Sequence, residues 1–330
     1  MQGSDGYFYG TTDNGGTNNA GTVFQISTNG ALTALYAFGT VTNASGVVAL
    51  DGANPDAALV QGSDGNFYGT TQYGGTNGCG TVFRISPTGA LTSLYSFTGG
   101  NDGGYGRFSG PTAGLVQGSD GSFYDTTFYG GTNGYGTVFQ ISPNGALSSL
   151  YSFPGGNEGA YPAAGLVQGS DGSFYGTTEY NGNHPAPQGG SFFGAGTVFK
   201  ISPKGALSSL YSFTGGNDGA NPVAGLVQGS DGSFYGTTVS GGQGGVGTVF
   251  RLTIVPDPQL TIIPSGSNMI LTWPTNYLSF DYTGYILQST TNLASPAVWT
   301  SVSPSPVVIG GQNVVVGPIS VTQQFFRLSQ

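Results

Sequence analysis

The chain has 330 residues, a length that suits about two domains. Only 6% of residues are charged, the net charge is −9, and the six Lys and Arg are scattered, so nucleic acid and anionic membrane surfaces are excluded as partners. The 62 Gly and 18 Pro approach the level of disordered low-complexity chains, but 21 Phe, 19 Tyr and many β-branched residues exclude disorder.

Read from the N-terminus, the chain repeats itself. Gln-Gly-Ser-Asp-Gly begins at Gln2, Gln61, Gln117, Gln168 and Gln228, at intervals of 59, 56, 51 and 60 residues. Each copy runs into Phe-Tyr-(Gly/Asp)-Thr-Thr, a glycine-rich loop and Gly-Thr-Val-Phe, and four of the five continue into Leu-Tyr-(Ser/Ala)-Phe.

The second unit predicts four short strands: Ala57–Gly62, Asn66–Thr71, Thr81–Ser86 and Ala90–Thr98. In the third, Val82, Arg84 and Ser86 alternate with Phe83 and Ile85. Asp64-Gly65 predicts a two-residue hairpin with both residues at positive φ. Ser86-Pro87-Thr88-Gly89 suits a type I turn, and the same chemistry recurs at Pro143-Asn144-Gly145 and Pro203-Lys204-Gly205. A four-stranded antiparallel meander repeated every 50 to 60 residues describes a propeller blade. The first unit lacks a lead-in strand and the fifth lacks the Leu-Tyr-Ser-Phe strand, giving eighteen strands where five full blades need twenty, so that the ring closes with shortened blades, a downstream strand completes it, or upstream sequence supplies the rest. The expectation is that upstream sequence belongs to the intact protein, since Met1 leads directly into a unit without an export signal.

The repeat stops at Pro256-Asp257-Pro258, which reads as a stiff linker. Both tryptophans, Trp273 and Trp299, lie beyond it, among seven strand-like runs: Leu260–Ile263, Met269–Trp273, Tyr285–Ser289, Val298–Val302, Val307–Ile309, Val314–Val316 and Gln324–Leu328. The expected fold is therefore all-β: a β-propeller of about five four-stranded blades over residues 1–255, its ring closed or incomplete, then a small fibronectin-III-like β-sandwich over 256–330. No apolar run is long enough to span a bilayer, so no membrane insertion is expected of this chain.

The string Leu226-Val227-Gln228-Gly229-Ser230-Asp231-Gly232-Ser233-Phe234-Tyr235-Gly236-Thr237-Thr238, followed by Gly247-Thr248-Val249-Phe250, resembles the Gloeobacter/Verrucomicrobia tandem repeat. The tail, with Gly284-Tyr285-Ile286-Leu287-Gln288-Ser289 and Phe325-Phe326-Arg327-Leu328, is similar to C-terminal modules of verrucomicrobial surface proteins. The resemblance implies a secreted, often surface-associated protein, and supplies no activity and no catalytic residues.

Asp5, Asp64, Asp120, Asp171 and Asp231 recur at one turn, where an aspartate bonds its own backbone. A second acidic set, Asp102, Glu158 and Asp218, lies in glycine-rich loops together with Asp51. One carboxylate per loop is few for calcium, which takes six to eight oxygens. No cofactor is expected; calcium is the cation such a set would suit. Cys79 aligns with Ala20, Tyr135, Ala195 and Val246, so the position is not tuned for thiol chemistry. His184 is the single histidine, too few ligands for a zinc site.

Tyr73, Tyr129 and Tyr180 follow the Thr-Thr pair in three successive units, where equivalent loops gather on one face. Exposed tyrosines suit sugar faces or peptides, whereas packing on neighbouring blades is the structural alternative. Asp125 and Glu179 break the consensus as candidate acids. The leading expectation is a non-catalytic extracellular or cell-surface structural or adhesive module, binding an extracellular polymer, glycan or protein surface. The alternatives are a lectin-like propeller using the three tyrosines, and a glycoside hydrolase or lyase, which needs a carboxyl pair.

Overall fold

The computed structural model describes residues 1–44, 49–104, 110–111, 113–181, 194–254, 258–277, 280–282, 284–294, 297–319 and 323–329. His184 and the Pro256-Asp257 part of the linker fall outside them. The chain forms two compact units, Met1–Leu252 and Thr253–Gln330. Among the described residues there is no α-helix, and one 3-10 turn covers Gly156–Glu158.

In the first compact unit each repeat forms its own antiparallel meander. The second repeat has strands Val60–Gln61, Phe67–Thr71, Thr81–Ile85 and Leu91–Ser96, hydrogen-bonded in that order. The third and fourth repeats have the same four strands, and the first and fifth have three each. In the first repeat a single bridge, Gln2 to Phe8, stands where the lead-in strand would be.

Strand alternation explains how these sheets stack. Phe67 pairs with Ile85 and Gly69 with Phe83. Phe67, Phe83 and Ile85 face the first repeat and share a core with its Tyr9, Val23 and Phe38. Tyr68, Val82 and Phe97 face the third repeat and share a core with its Phe123, Phe139 and Ile141. Each central sheet is thus buried on both faces, and each core belongs to two neighbours, as in propeller blades. Burying one such aromatic side chain contributes about 1.5–3 kcal/mol.

The seams repeat in geometry. Tyr9–Phe67, Tyr68–Phe123, Tyr124–Phe174 and Tyr175–Phe234 stack with ring centroids 3.9, 4.0, 4.0 and 4.1 Å apart. A polar contact accompanies each stack. Gln61 Oε1 accepts a hydrogen bond from Ser4 N at 2.8 Å, and Gln117, Gln168 and Gln228 do the same for Ser63, Ser119 and Ser170.

The two ends of the array are uncovered. Phe8 is 42% exposed, whereas Phe67, Phe123, Phe174 and Phe234 are buried. Tyr235 is 37% exposed, whereas Tyr9, Tyr68, Tyr124 and Tyr175 are buried. The first and fifth sheets therefore do not cover one another.

The turn at Asp64-Gly65 differs from the two-residue hairpin that the dipeptide predicts. Gln61 pairs with Phe67, Gly62 N donates to Asn66 O, and Gly65 N donates to Gly62 O. The loop is Ser63–Gly65, and only Gly65, at φ 81°, is left-handed. A three-residue hairpin needs one such residue at its end, and the Asp64 carboxylate caps the turn by accepting from Asn66 N. The Ser86–Gly89 turn forms as its sequence predicts, with Gly89 N donating to Ser86 O at 2.9 Å.

The second compact unit pairs two sheets. Thr261–Ser265, Asn268–Pro274, Gln312–Pro318 and Val307–Ile309 form one, and Thr300–Ser301, Ile286–Thr290 and Phe325–Ser329 the other. Leu271, Trp273 and Val315 from the first meet Leu287 from the second, with Phe326 and Leu328 packed against them. A short ribbon, Asn276–Tyr277 with Phe280–Asp281, was not legible in the sequence pattern. The Arg327 guanidinium lies over the Trp299 ring, 4.3 Å from its centroid.

Candidate binding face

The loops after the Thr-Thr pairs are held alike in successive units. Thr71 Oγ1 donates to Tyr73 O, Thr127 Oγ1 to Tyr129 O and Thr178 Oγ1 to Tyr180 O. The three tyrosines thus occupy equivalent places. Tyr129 is exposed, and Tyr73 and Tyr180 are half-buried.

Around Tyr129 and Tyr180 the structure assembles a larger aromatic cluster. The Tyr161 ring stacks on Phe128 with centroids 5.2 Å apart. It meets Tyr129 at 5.4 Å, Tyr135 at 5.5 Å and Tyr180 at 5.8 Å, all edge to face. Phe128 and Tyr129 also touch, at 4.7 Å. The cluster joins the third unit to the fourth, and among the described residues it is built without Tyr73.

Tyr161 holds a left-handed backbone, φ 60°. The same place in other units is Asn54, φ 57°, and Asn221, φ 59°, each followed by proline. Asparagine tolerates this region, whereas a tyrosine there stores about 1–3 kcal/mol of strain that its surroundings must hold. Three backbone hydrogen bonds of the fourth unit's lead-in do so: Tyr161 N to Tyr135 O, Glu179 N to Tyr161 O, and Ala160 N to Tyr180 O. Neither Tyr161 nor Phe128 stands out by sequence spacing. The signal was there, since Tyr161 interrupts an Asn-Pro pair that recurs at Asn54-Pro55 and Asn221-Pro222.

The Tyr180 pKa is pushed up to about 12, first by its hydrogen bond with the Glu179 carboxylate and then by burial. Asp125 is elsewhere. It sits in strand Phe123–Thr127 opposite Phe139, where other units have the glycine over which a phenylalanine ring lies. It is fully buried, and neither carboxyl oxygen makes a hydrogen bond of acceptable geometry. Burial pushes its pKa up to about 8, against a smaller opposing effect of the Thr126 backbone amide. Glu179 and Asp125 thus differ in setting, one holding a tyrosine in a loop and the other enclosed in a core.

The repeated aspartates hold tyrosines. Asp64 Oδ2 accepts from Tyr68 Oη at 2.8 Å, and Asp5, Asp120, Asp171 and Asp231 do the same for Tyr9, Tyr124, Tyr175 and Tyr235. Burial raises the Asp64 carboxyl, but hydrogen bonds from Asn66 and Tyr68 outweigh it and leave its pKa below the usual value. In the fourth unit Lys200 Nζ adds an ion pair with Asp171 at 2.8 Å.

The second acidic set is used in the same manner. Asp102 accepts from Tyr95 Oη and Thr98 N, both at 2.8 Å. Asp218 accepts from Tyr211 Oη and Thr214 N, Glu158 from Tyr151 Oη, and Asp51 from Tyr36 Oη. These carboxylates lie one per unit and are not brought together. Among the described residues no three His, Cys, Asp or Glu side chains group as metal ligands. Cys79 is buried and pairs by backbone with Gly74, as Tyr135 does with Gly130 and Val246 with Gly241, so its place is that of a variable packing residue.

Stacked four-stranded meanders of one repeated sequence define a tandem-repeat all-β protein of propeller-blade type. The Gloeobacter/Verrucomicrobia repeat matches residues 1–186 and 111–268, and the chain belongs to this repeat family. No protein of curated function matches the sequence significantly. Among solved structures the chain is similar to a puromycin hydrolase, at 13% identity and TM-score 0.39, covering 84% of this chain and 42% of that one. The chain thus spans less than half of that protein. It is also similar to an ulvan lyase bound to a sulfated GlcA–Rha saccharide, at 11% identity and TM-score 0.46, covering 83% of this chain and 78% of that one. An α-L-arabinofuranosidase from Clostridium thermocellum is similar at 15% identity and TM-score 0.34, covering 67% of this chain and 81% of that one.

Proposed function

We propose that the protein is a non-catalytic extracellular adhesive module that grips a glycan through the Tyr129–Tyr161–Tyr180 cluster. The observation that carries this reading is the strained Tyr161, which places one ring against four others and leaves Tyr129 39% exposed beside them. Aromatic rings at a surface offer flat apolar faces with polar tips, the chemistry that sugar rings stack on. The non-catalytic part rests on the carboxylates. The repeated acids are engaged in holding tyrosines, and Asp125 is enclosed away from the loop face.

The test is a glycan array probed with the full chain, followed by the triple variant Tyr129→Ala, Tyr161→Asn, Tyr180→Ala. Saturable binding that falls at least about tenfold in the variant, a loss of about 1.4 kcal/mol, supports the reading. No signal on any glycan, or equal binding by the variant, overturns it. Release of shortened saccharide from a bound polymer would overturn the non-catalytic part alone.

A further inference from the structure

The fifth repeat ends on strand Val249–Leu252, which pairs with Phe234–Thr237 on one side only. In the first four repeats the corresponding strand pairs on its other side with an outermost strand: Leu32–Ala37, Leu91–Ser96, Leu147–Ser152 and Leu207–Ser212. Where that strand would lie, the structure has a groove of about 290 Å³, with walls that include Val198, Tyr211, Phe213, Val249, Phe250 and Leu252.

Three observations show what the groove lacks. Tyr211 is 41% exposed, whereas its equivalents Tyr36, Tyr95 and Tyr151 are half-buried. Leu252 is half-buried, whereas Ile85, Ile141 and Ile201 are fully buried. Phe38, Phe97, Phe153 and Phe213 each donate their backbone N–H to Gly21, Gly80, Gly136 and Gly196, and among the described residues no amide does so for Gly247.

We propose that this groove is an acceptor site for an extended peptide strand of the pattern Leu-x-x-Leu-Tyr-x-Phe. The four occupied copies define both partner and register. By equivalence with the Thr197–Ile201 pairing, the first Leu lies opposite Leu252 and the Tyr opposite Val249. The first Leu fills the space between Tyr211 and Leu252, as Leu147 packs on the core beside Leu94 and Tyr95. The Leu, Tyr and Phe that follow cover Val249, which is 79% exposed, as Leu94, Tyr95 and Phe97 accompany Val82. Main-chain hydrogen bonds along an open edge supply affinity, and alternate side chains set the register.

The probe is a fluorescein-labelled peptide with the sequence of residues 206–215, titrated into the full chain and read by anisotropy. Saturable binding is expected, in the range of about 1–100 μM. A scrambled peptide, and one in which the Leu corresponding to Leu207 is Asp, should bind at least about tenfold more weakly. A photo-crosslinker at the peptide's Tyr position should label Val249–Leu252 or its groove neighbours. No saturable binding, equal binding of the scrambled peptide, or labelling confined to other segments overturns the proposal. The protein is unaltered in every arm, so misfolding does not enter the result.

Discussion

Tyr68 of the second repeat lies on Phe123 of the third, with ring centroids 4.0 Å apart and planes inclined by 28°. Both rings are buried, and the Tyr68 hydroxyl leaves the stack to donate to Asp64. One side chain thus ties a seam between sheets to a turn within its own sheet.

Removing one ring of that stack opens a cavity in a core shared by two units. Phe123→Ala should destabilise the first compact unit by about 3–5 kcal/mol. Phe8→Ala, the same residue type at the uncovered end, should cost less than about 1 kcal/mol. Urea midpoints of the two variants check the contrast, and equal losses would refute the shared-core account.

The Tyr68–Asp64 pair makes stability depend on pH at both extremes. Asp64 has a folded pKa below its unfolded value, so its contribution is present above about pH 4 and is lost as pH falls through the folded pKa. Burial first, and then Asp64, pushes Tyr68 up to about 12, so its contribution is present below about pH 10 and is lost as pH rises to about 12. Asp64→Asn should lower the melting temperature at pH 7 and should cost little at pH 2. The carboxylate is partly open to solvent, so the gap at pH 7 should correspond to no more than about 1 kcal/mol.

Asp125 acts in the opposite sense to Asp64. Its folded pKa, about 8, exceeds the unfolded value. The chain is then most favoured at low pH with respect to this group, and stability drains away between about pH 4 and pH 8 as the unfolded state alone ionises. Asp125→Gly restores the residue found at this place in the other four units. The variant should melt at a higher temperature than the natural chain at pH 8, with the difference shrinking towards pH 4. Thermal melts of both chains across this range check it, and a constant difference would refute it.

Tyr161→Asn exchanges a strained residue for the one that other units carry in the same conformation. Backbone relief and the loss of ring packing oppose one another, so folding stability should change by less than about 1.5 kcal/mol. Glycan binding should nevertheless fall, since Phe128, Tyr129, Tyr135 and Tyr180 lose the ring they share. Denaturation and glycan titration on one preparation separate the two effects.

The repeat made most of the fold legible. Alternation in Thr81–Ile85 foretold that Val82 and Phe83 point to opposite sides, and they do enter different cores. Strand pairing is local, so turns and alternation suffice to place it. What escaped was non-local or stereochemical. The Asp64 dipeptide suggested the wrong hairpin length, because a three-residue loop also ends in left-handed glycine. The second role of Asp64, holding Tyr68, needs the third dimension. Tyr73, Tyr129 and Tyr180 were recognisable as equivalent positions, but the ring that joins two of them, Tyr161, comes from a separate segment of the next unit's lead-in.

The bond from Ser4 N to Gln61, copied at Ser63, Ser119 and Ser170, gives the array a direction, because the serine always belongs to the earlier sheet and the glutamine to the later. Such a coupling has one male and one female end, like the links of a toy railway. Whole units can be inserted or excised during evolution without inventing a new joint, so long as none is turned around.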